Sequence, residues 1–244
     1  MGKTDEYEIV KYNGILVPFV KKKKPRKEKP DAEEGIVSAH KNFTKSKDNV
    51  IIIGGGNGVT ACVASKIVGE FGNVVIYEGG NEAYKRIKRT MKINNAPNNY
   101  QVYHAIIGPE IDVYGGDTTG AQFIDPKDIA NCDVLELDCE GSEESILENM
   151  VIRPRIIIAE IHPKTHKSPD SVVNILINMG YKIIQQSGHN GGIVTNEELS
   201  YLLYKGKIFD AGKHNKKYRF IETIKGELAR FPMVVVGEKN EQNK

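Results

Sequence analysis

The stretch Asn49-Val-Ile-Ile-Ile-Gly-Gly-Gly-Asn-Gly-Val-Thr60 decides the fold of this chain. Its run of β-branched residues is typical of a strand that is buried on both faces. The run then breaks into four glycines, Gly54, Gly55, Gly56 and Gly58, before a stretch long enough for a helix. Glycines at a strand-to-helix turn let backbone N–H groups approach a ligand closely, because no Cβ blocks the way.

A second strand-like run, Val74-Val-Ile-Tyr-Glu78, follows this turn and ends in an acidic residue. Glu78 therefore falls where an acid can accept hydrogen bonds from the two hydroxyls of a ribose. A glycine-rich turn alone can simply join a strand to a helix, but an acid in register at the end of the next strand argues against that interpretation. The two features together predict a nucleoside-containing cofactor at the carboxyl edge of a parallel sheet.

The spacing of the glycines bears on which cofactor this is. Dinucleotide-binding folds usually carry Gly-x-Gly-x-x-Gly, and the third position counted from Gly54 is Val59. The chain instead has Gly54-x-Gly56-x-Gly58, which resembles motif I of S-adenosylmethionine (SAM) methyltransferases. That resemblance implies that these three glycines and Asn57 contact SAM. A nicotinamide-dependent oxidoreductase on the same kind of sheet is the alternative.

From residue 49 onward, segments typical of strands alternate with segments typical of helices. Such alternation predicts parallel βαβ units and a doubly wound, mostly parallel α/β sheet. The predicted strands cover residues 49–53, 73–78, 100–107, 133–138, 155–161 and 181–185. The predicted helices cover residues 58–70, 81–94, 143–150 and 168–179.

The segments on either side of this alternating region have other patterns. Residues 8–12 and 15–20 alternate as two short strands around an Asn13-Gly14 turn, and a short helix is predicted over 32–43. Near the other end we predict a loop at 187–192, a helix at 196–204 and an apolar strand at 231–236. The predicted organisation is therefore an N-terminal extension (1–48), a cofactor-binding core (49–190) and a C-terminal segment completing or flanking the sheet (191–244).

A second dense signal is the acidic block Asp133-Val-Leu-Glu-Leu-Asp-Cys-Glu-Gly-Ser-Glu143. A buried strand delivers Asp138 and Glu140 to its carboxyl end, and Gly141 permits a tight turn, after which Ser142 is predicted to be the N-cap of the next helix. The following strand likewise ends in Glu160 and His162. Ligands of open α/β sheets bind outside the carboxyl ends of the strands, so these groups are predicted to converge on the edge that carries the glycines.

These segments together resemble the FkbM family of SAM-dependent methyltransferases. The match consists of the glycine loop with its downstream acid, the Asp138-Cys-Glu-Gly-Ser-Glu143 block and the Arg153-Pro-Arg-Ile-Ile-Ile-Ala-Glu-Ile-His162 strand, with Asn94-Asn95 and Ala105-Ile-Ile-Gly108 between them. It covers roughly residues 48–185. The resemblance implies a Rossmann-like class I methyltransferase fold and methyl transfer from SAM to a hydroxyl or carboxyl of a glycan or small metabolite.

The chain departs from the family pattern in two places. Ile52 stands where such enzymes often carry an acid just before the first glycine, and that acid commonly helps to hold the methionine amino group. Glu78 is followed by Gly79-Gly80 where the family usually has a proline, which makes the adenosine rim looser.

The candidate catalytic residues are His162, Asp138 and Glu160. A hydroxyl acceptor must lose a proton, and His162 is the best general base because its ordinary pKa lies near neutrality and Glu160 is close in sequence. A structural role for His162 at a strand end remains open, and a carboxylate acceptor would need no base. Asp138 is expected to line the methionine and acceptor pocket, and Ala105, at the end of the third strand, to lie near the adenine.

Asp138, Glu140, Glu160 and His162 are also able to hold a magnesium-like ion, since such ions prefer hard oxygen ligands. The sequence fixes no ligand geometry, so no metal is assigned. The magnesium alternative stays open.

The charge of the chain bears on the partners that it can bind. The formal net charge is only +2, which implies no bulk attraction to nucleic acid or membrane. Seven of the nine residues in Lys21–Lys29 are basic, but none is aromatic, so this run is predicted to be a solvated loop and nucleic acid is not expected as a partner. A non-catalytic relative that binds nucleotide or nucleic acid remains an alternative.

The three cysteines show no Cys-x-x-Cys spacing, which predicts reduced thiols and a cytoplasmic protein. The first residues are polar and lack the apolar core of a signal peptide. Nor does any apolar run approach the length that spans a membrane.

Overall fold

A computed structural model describes residues 6–109, 117–162, 171–188, 191–193, 207–210, 219–222 and 233–240 of the chain. Its centre is a nine-stranded sheet. In spatial order the strands are β10 (Gly191–Ile193), β9 (Tyr181–Gly188), β13 (Met233–Lys239), β8 (Ile156–Ile161), β7 (Val134–Leu137), β3 (Asn49–Ile53), β4 (Asn73–Glu78), β5 (Tyr100–Ile107) and β6 (Gln122–Ile124).

The direction of the strands confirms the predicted doubly wound, mostly parallel sheet. Strands β3 to β8 pair in parallel, whereas β13 runs antiparallel to both β8 and β9, and β10 runs antiparallel to β9. The chain moves from β3 outward to β4, β5 and β6, then returns to place β7 on the other side of β3. Ligand crevices of such sheets open at the carboxyl ends of the strands where the order reverses, which here is at β3.

Helices cover both faces of the sheet, and each face has its own apolar core. Helices α1 (Glu34–Phe43), α2 (Val59–Val68) and α3 (Asn81–Ile93) pack on the face that carries Ile52 and Ile158. Helices α4 (Glu143–Asn149) and α5 (Ser171–Asn178) pack on the opposite face. Among the described helices, none has the length and apolar character that crossing a bilayer requires.

A hairpin of β1 (Tyr7–Tyr12) and β2 (Ile15–Val20) precedes the sheet, as predicted for the N-terminal extension. Its turn residues, Asn13 and Gly14, both have positive φ, which matches the twist of a tight hairpin. The hairpin is joined to the end of α3 because Asn94 accepts from the Leu16 N–H at 3.0 Å and donates to the Leu16 carbonyl at 2.8 Å.

The observed strands and helices agree closely with the predicted bounds in the alternating region. The predicted loop at 187–192 is wrong in part, because β9 continues through Gly188 and β10 begins at Gly191. The reason is a distant partner, since Met233 of β13 pairs with Gly188 and extends the ladder across a stretch whose composition is typical of a loop. Strand β6 and a separate hairpin of β11 (Lys207–Asp210) and β12 (Arg219–Glu222) were not predicted, and the predicted helix at 196–204 lies outside the described residues.

The bend after β3 depends on glycine for a steric reason. Gly54 has φ +91°, and a Cβ there would lie 1.8 Å from the carbonyl oxygen of Asp138. The bend is further fixed by two backbone bonds of 2.9 Å, from the Gly54 N–H to the Tyr77 carbonyl and from the Asp138 N–H to the Ile53 carbonyl. Strands β3, β4 and β7 therefore meet at Gly54 through backbone alone.

We expect Gly54→Ala to lower the free energy of unfolding by about 3 kcal/mol or more, because the methyl group forces β3 and β7 apart. Gly180→Ala is the matched control, since Gly180 has φ +87° but nothing within 4 Å of its Cβ position. The control should lose only about 1–2 kcal/mol, the cost of a left-handed conformation. Chemical denaturation measures both values, and equal losses would refute the steric account.

Candidate functional site

Glu78 closes one side of the glycine bend. The side chain is only 5% exposed at the end of β4, and its two oxygens accept from the Gly56 N–H at 2.9 Å and the Gly80 N–H at 2.7 Å. Burial raises the pKa of the Glu78 carboxyl, and the two amide bonds and the Arg86 charge offset part of that rise. Since a carboxylate has about four lone-pair positions, Glu78 can hold the loop and still accept bonds from a ligand.

Two of the glycines differ in what surrounds them. A Cβ on Gly58 would lie 3.2 Å from Ile87 and Thr90 of α3, so this glycine permits helix α3 to approach. Gly56 is exposed with φ +50°, and nothing lies within 4 Å of its Cβ position. Gly56 is thus the point at which a ligand can reach the backbone of the loop.

The tip of the loop is tied to α3 through Asn57. The Arg86 guanidinium donates to Asn57 Oδ1 at 3.2 Å, and the Thr90 hydroxyl donates to the Asn57 carbonyl at 2.9 Å. These contacts hold the loop in its bent form.

The rim next to Glu78 is formed by β5, and the structure alters what was expected there. The strand does not end at Ala105, which is buried and pairs with Gln122 of β6. His104 is the residue in register with Glu78, its Nε2 lies 3.0 Å from the Gly79 carbonyl oxygen, and its ring stacks on Tyr84 at 5.1 Å. Side chains alternate along a strand, so His104 shares the face of Glu78 while Ala105 lies on the other. The assignment of Ala105 to the adenine stays a prediction, and His104 joins it as a candidate.

On the other side of Gly54, acidic side chains gather around His162. Asp138 and Glu140 follow β7 and Glu160 lies near the end of β8, as the sequence pattern indicated, whereas Glu143 begins α4. The four carboxylates within 4.0 Å of the imidazole, each with its distance to the nearer ring nitrogen, are Glu143 (3.4 Å), Glu140 (3.5 Å), Asp138 (3.6 Å) and Glu160 (4.0 Å).

This crowding shifts two pKa values in the same direction. Burial, followed by the charges of Glu160 and other nearby carboxylates, holds the pKa of Asp138 well above its ordinary value. Burial opposes protonation of His162, but the hydrogen bond to Glu143 and the neighbouring negative charges outweigh it and raise the pKa of His162. This end of the crevice therefore favours protons and other cations.

Three of these groups also have the proximity that a metal ion needs. Asp138, Glu160 and His162 each offer one ligand atom, and the three atoms lie within 4.8 Å of one another. Carboxylate oxygens suit a magnesium-like ion, so the magnesium alternative remains compatible with the structure.

Glu143 has a larger part than the sequence indicated. Ser142 does occupy the N-cap position of α4, but its side chain makes no capping hydrogen bond. The turn is held instead by Glu143, whose Oε1 accepts from the Cys139 N–H at 2.9 Å and also faces the Nδ1 of His162. A fully buried carboxylate thus orients the imidazole.

A buried polar network beneath the crevice was also missed. Glu136, in the middle of β7, has Oε2 2.6 Å from His40 Nε2 of α1 and accepts at Oε1 from the Thr60 hydroxyl of α2 at 2.8 Å. The signal was present in the sequence, because an acid within the apolar run Val134-Leu-Glu-Leu137 must find a buried partner. Glu136 is the register neighbour of Ile52, but its bonds tie α1 and α2 to the sheet below the crevice.

Comparison with known proteins found matches among solved structures only. No protein-family model and no curated protein sequence matches the chain. Among solved structures, a precorrin-6y C5,15-methyltransferase from Geobacter metallireducens matches with a TM-score of 0.50 and 15% identity, covering 90% of this chain and 93% of that one. The structure of aTrm5 with tRNALeu matches with a TM-score of 0.54 and 9% identity, over 98% of this chain and 55% of that one.

A SAM-dependent O-methyltransferase from Thermotoga maritima matches with a TM-score of 0.49 and 13% identity, over 97% of this chain and 79% of that one. At these identities the likeness shows the fold alone. The chain has the Rossmann-like fold found in methyltransferase structures.

We expect Asp138→Asn to raise the free energy of unfolding at neutral pH by on the order of 1 kcal/mol. The folded protein binds the Asp138 proton more tightly than the unfolded chain does, so ionisation destabilises the fold as the pH rises above the ordinary value of 3.8. The gain in the variant should shrink as the pH falls toward that value.

Denaturant titrations at several pH values measure this effect. Asp125→Asn is the control, because hydrogen bonds from Lys127 lower the pKa of Asp125 and its loss should leave stability unchanged or reduced. An Asp138→Asn variant that is less stable than the wild type at neutral pH would contradict the crowding argument.

Proposed function

We propose that this protein is a SAM-dependent methyltransferase. The observation that carries the proposal is that the two sides of the bend at Gly54 favour different parts of a ligand. Glu78 at one end offers carboxylate oxygens to the hydroxyls of a ribose, and the cluster around Asp138 at the other end favours positive charge. SAM has a ribose at one end and a sulfonium and an ammonium at the other, so its charge pattern matches that of the crevice.

The same charge pattern argues against the nicotinamide alternative. A dinucleotide carries a pyrophosphate next to its ribose, and that group is doubly negative. It would lie against four carboxylates that share a single imidazole, that of His162. The repulsion disfavours a dinucleotide, whereas a sulfonium nucleoside is attracted.

The proposed contacts follow from where each residue lies. The loop residues Gly54, Gly56, Asn57 and Gly58 would face the nucleoside, with Glu78 on its ribose and Ala105 or His104 near its base. Asp138 would face the amino acid part, in the absence of an acid at Ile52. Residues 49–190 would form the cofactor-binding core, flanked by 1–48 and 191–244.

Bound SAM supplies a methyl group on a positively charged sulfur, which leaves with the bonding electron pair as a neutral thioether. The protein aligns the acceptor with that methyl group, and alignment alone supplies much of the rate in such a displacement. His162 would take the proton of a hydroxyl acceptor, and the Glu143 carboxylate would keep the ring in place. Glu160 would stabilise the protonated imidazole.

The class of acceptor rests on separate grounds. The resemblance to the FkbM family favours a hydroxyl or carboxyl of a glycan or small metabolite. One matched structure contains a tRNA, so proteins of this fold also meet nucleic acid.

Isothermal titration calorimetry with S-adenosylhomocysteine (SAH) tests the proposal. We expect the wild type to bind SAH and not NAD. Glu78→Gln should weaken SAH binding by about tenfold or more, because a charge-assisted hydrogen bond to the ribose is lost. Glu82→Gln, an exposed change on the first turn of α3, is the control and should bind as the wild type does.

A methyl-transfer assay on the same proteins separates binding from chemistry. His162→Gln should bind SAH normally but transfer the methyl group to a hydroxyl acceptor about 100-fold more slowly. Binding of NAD in place of SAH by the wild type would exclude the proposed function.

A further inference from the structure

Within the described residues, a basic feature outside the crevice lies on the loop that follows the N-terminal hairpin and on α3. We call it the basic surface, and it comprises Lys22, Lys23, Lys24, Arg26, Arg86 and Arg89. The three lysines are exposed, and none forms an ion pair within the described part of the chain. Their charge is therefore free to attract an anion.

The loop that follows β2 and helix α3 form one continuous surface. The Arg26 guanidinium lies 4.4 Å from the centre of the Phe19 ring, and the Arg86 guanidinium lies 5.1 Å from the centre of the same ring. Both guanidinium groups contact one aromatic ring, and the Arg26 charge lowers the pKa of Arg86, although burial lowers it more. Glu8 Oε1 lies 3.6 Å from Arg26 Nη1 and balances part of this charge, and a further anion near the two arginines would relieve more of the repulsion.

The loop is fixed to the hairpin at several points. Lys29 donates its N–H to the Lys11 carbonyl at 3.0 Å and accepts from the Asn13 N–H at 2.9 Å. The Arg26 N–H donates to Glu8 Oε2 at 3.2 Å. The three lysines lie between Arg26 and Lys21, whose N–H donates to the Glu6 carbonyl at 2.8 Å. They are exposed, as the sequence predicts, and the anchors on either side hold the loop that presents them.

The basic surface reaches the proposed cofactor site. Arg86 donates to Asn57 at the tip of the glycine loop. The basic surface therefore meets the glycine loop at Asn57, beside the nucleoside end of the crevice.

The fold supplies the aromatic residues that the basic run itself lacks. Arg89 lies 4.5 Å from the centre of the Tyr7 ring, and Tyr7 is 37% exposed beside its register partner Val20. Guanidinium planes and tyrosine rings are the surfaces on which unpaired bases stack. Phosphates on the lysines and bases on these planes together describe a nucleic acid strand.

We propose that the basic surface binds a single-stranded nucleic acid and leads it to the crevice, so that this strand carries the methyl acceptor. The inference rests on the proposed function and names its substrate class. The methyl group would move from the sulfonium to an oxygen or nitrogen of the strand, the sulfur would keep the bonding electrons, and the acceptor's proton would pass to His162 or to solvent.

Fluorescence anisotropy with labelled oligouridylate, and with its DNA counterpart, tests this on the full chain. We expect Lys22→Glu/Lys24→Glu to weaken RNA binding at physiological salt by about tenfold or more, with a shallower salt dependence, because phosphate contacts are lost. The matched control is Lys182→Glu/Lys239→Glu, which makes the same charge change at exposed positions of β9 and β13. The control should bind RNA as the wild type does.

SAH titration of all three proteins keeps the two proposals apart. Unchanged SAH affinity together with selective loss of RNA binding supports the surface. Normal SAH binding with no RNA binding, or equal weakening in both double variants, overturns the surface and leaves the methyltransferase standing. RNA binding without SAH binding overturns the proposed function instead. If the protein binds phosphatidylserine vesicles but not RNA, and Lys22→Glu/Lys24→Glu weakens the vesicle binding, the nucleic acid proposal is also overturned.

Discussion

The backbone contact between Gly54 and Asp138 is the constraint on which the rest of the site depends. No side chain fits between the end of β3 and the turn after β7, since a Cβ on Gly54 would lie 1.8 Å from the Asp138 carbonyl oxygen. The same glycine donates its N–H to the Tyr77 carbonyl of β4. One residue therefore joins the end of β4, which carries Glu78, to the turn after β7, which carries Asp138.

The charged side chains make the two ends of the crevice different. The acidic end is crowded with carboxylates around one imidazole, and crowding of this kind is relieved by a proton or a cation. The opposite end meets the arginines that share the Phe19 ring, where an anion is favoured. A cationic cofactor and an anionic acceptor chain satisfy both ends without competing for the same groups. The proposed cofactor site and the basic surface therefore rely on different charged groups, although Arg86 joins the two at Asn57.

Local sequence pattern was sufficient for much of this fold. Apolar β-branched runs and glycine positions located the central strands, the bend at Gly54 and the acidic strand ends, because burial on both faces and positive φ leave direct marks on residue choice. Features that depend on contacts between residues far apart in the chain left weaker signals in the sequence. Strand β10 depends on its pairing with β9, and the shared ring of Phe19 joins residues from two elements far apart in the chain.

The site shows the same division. That Asp138, Glu160 and His162 share an edge follows from parallel strands alone. The role of Glu143 as a brace for His162 and the position of His104 opposite Glu78 required the turn geometry and the β4–β5 register. The network of Glu136 with His40 and Thr60 was signalled by one acid in an apolar strand, but its partners lie on helices that no local pattern connects to it.

Nuclear magnetic resonance of the nitrogen-15-labelled protein, titrated with SAH, tests the central claim most directly. A nucleoside seated against the bend should shift the amide signals of Gly56 and Gly80, which bond to Glu78, and of Cys139 beside Asp138, while the signal of Gly180 stays in place. If SAH binds but leaves Gly56 and Gly80 unmoved, the ligand sits elsewhere and the bend at Gly54 is not its site.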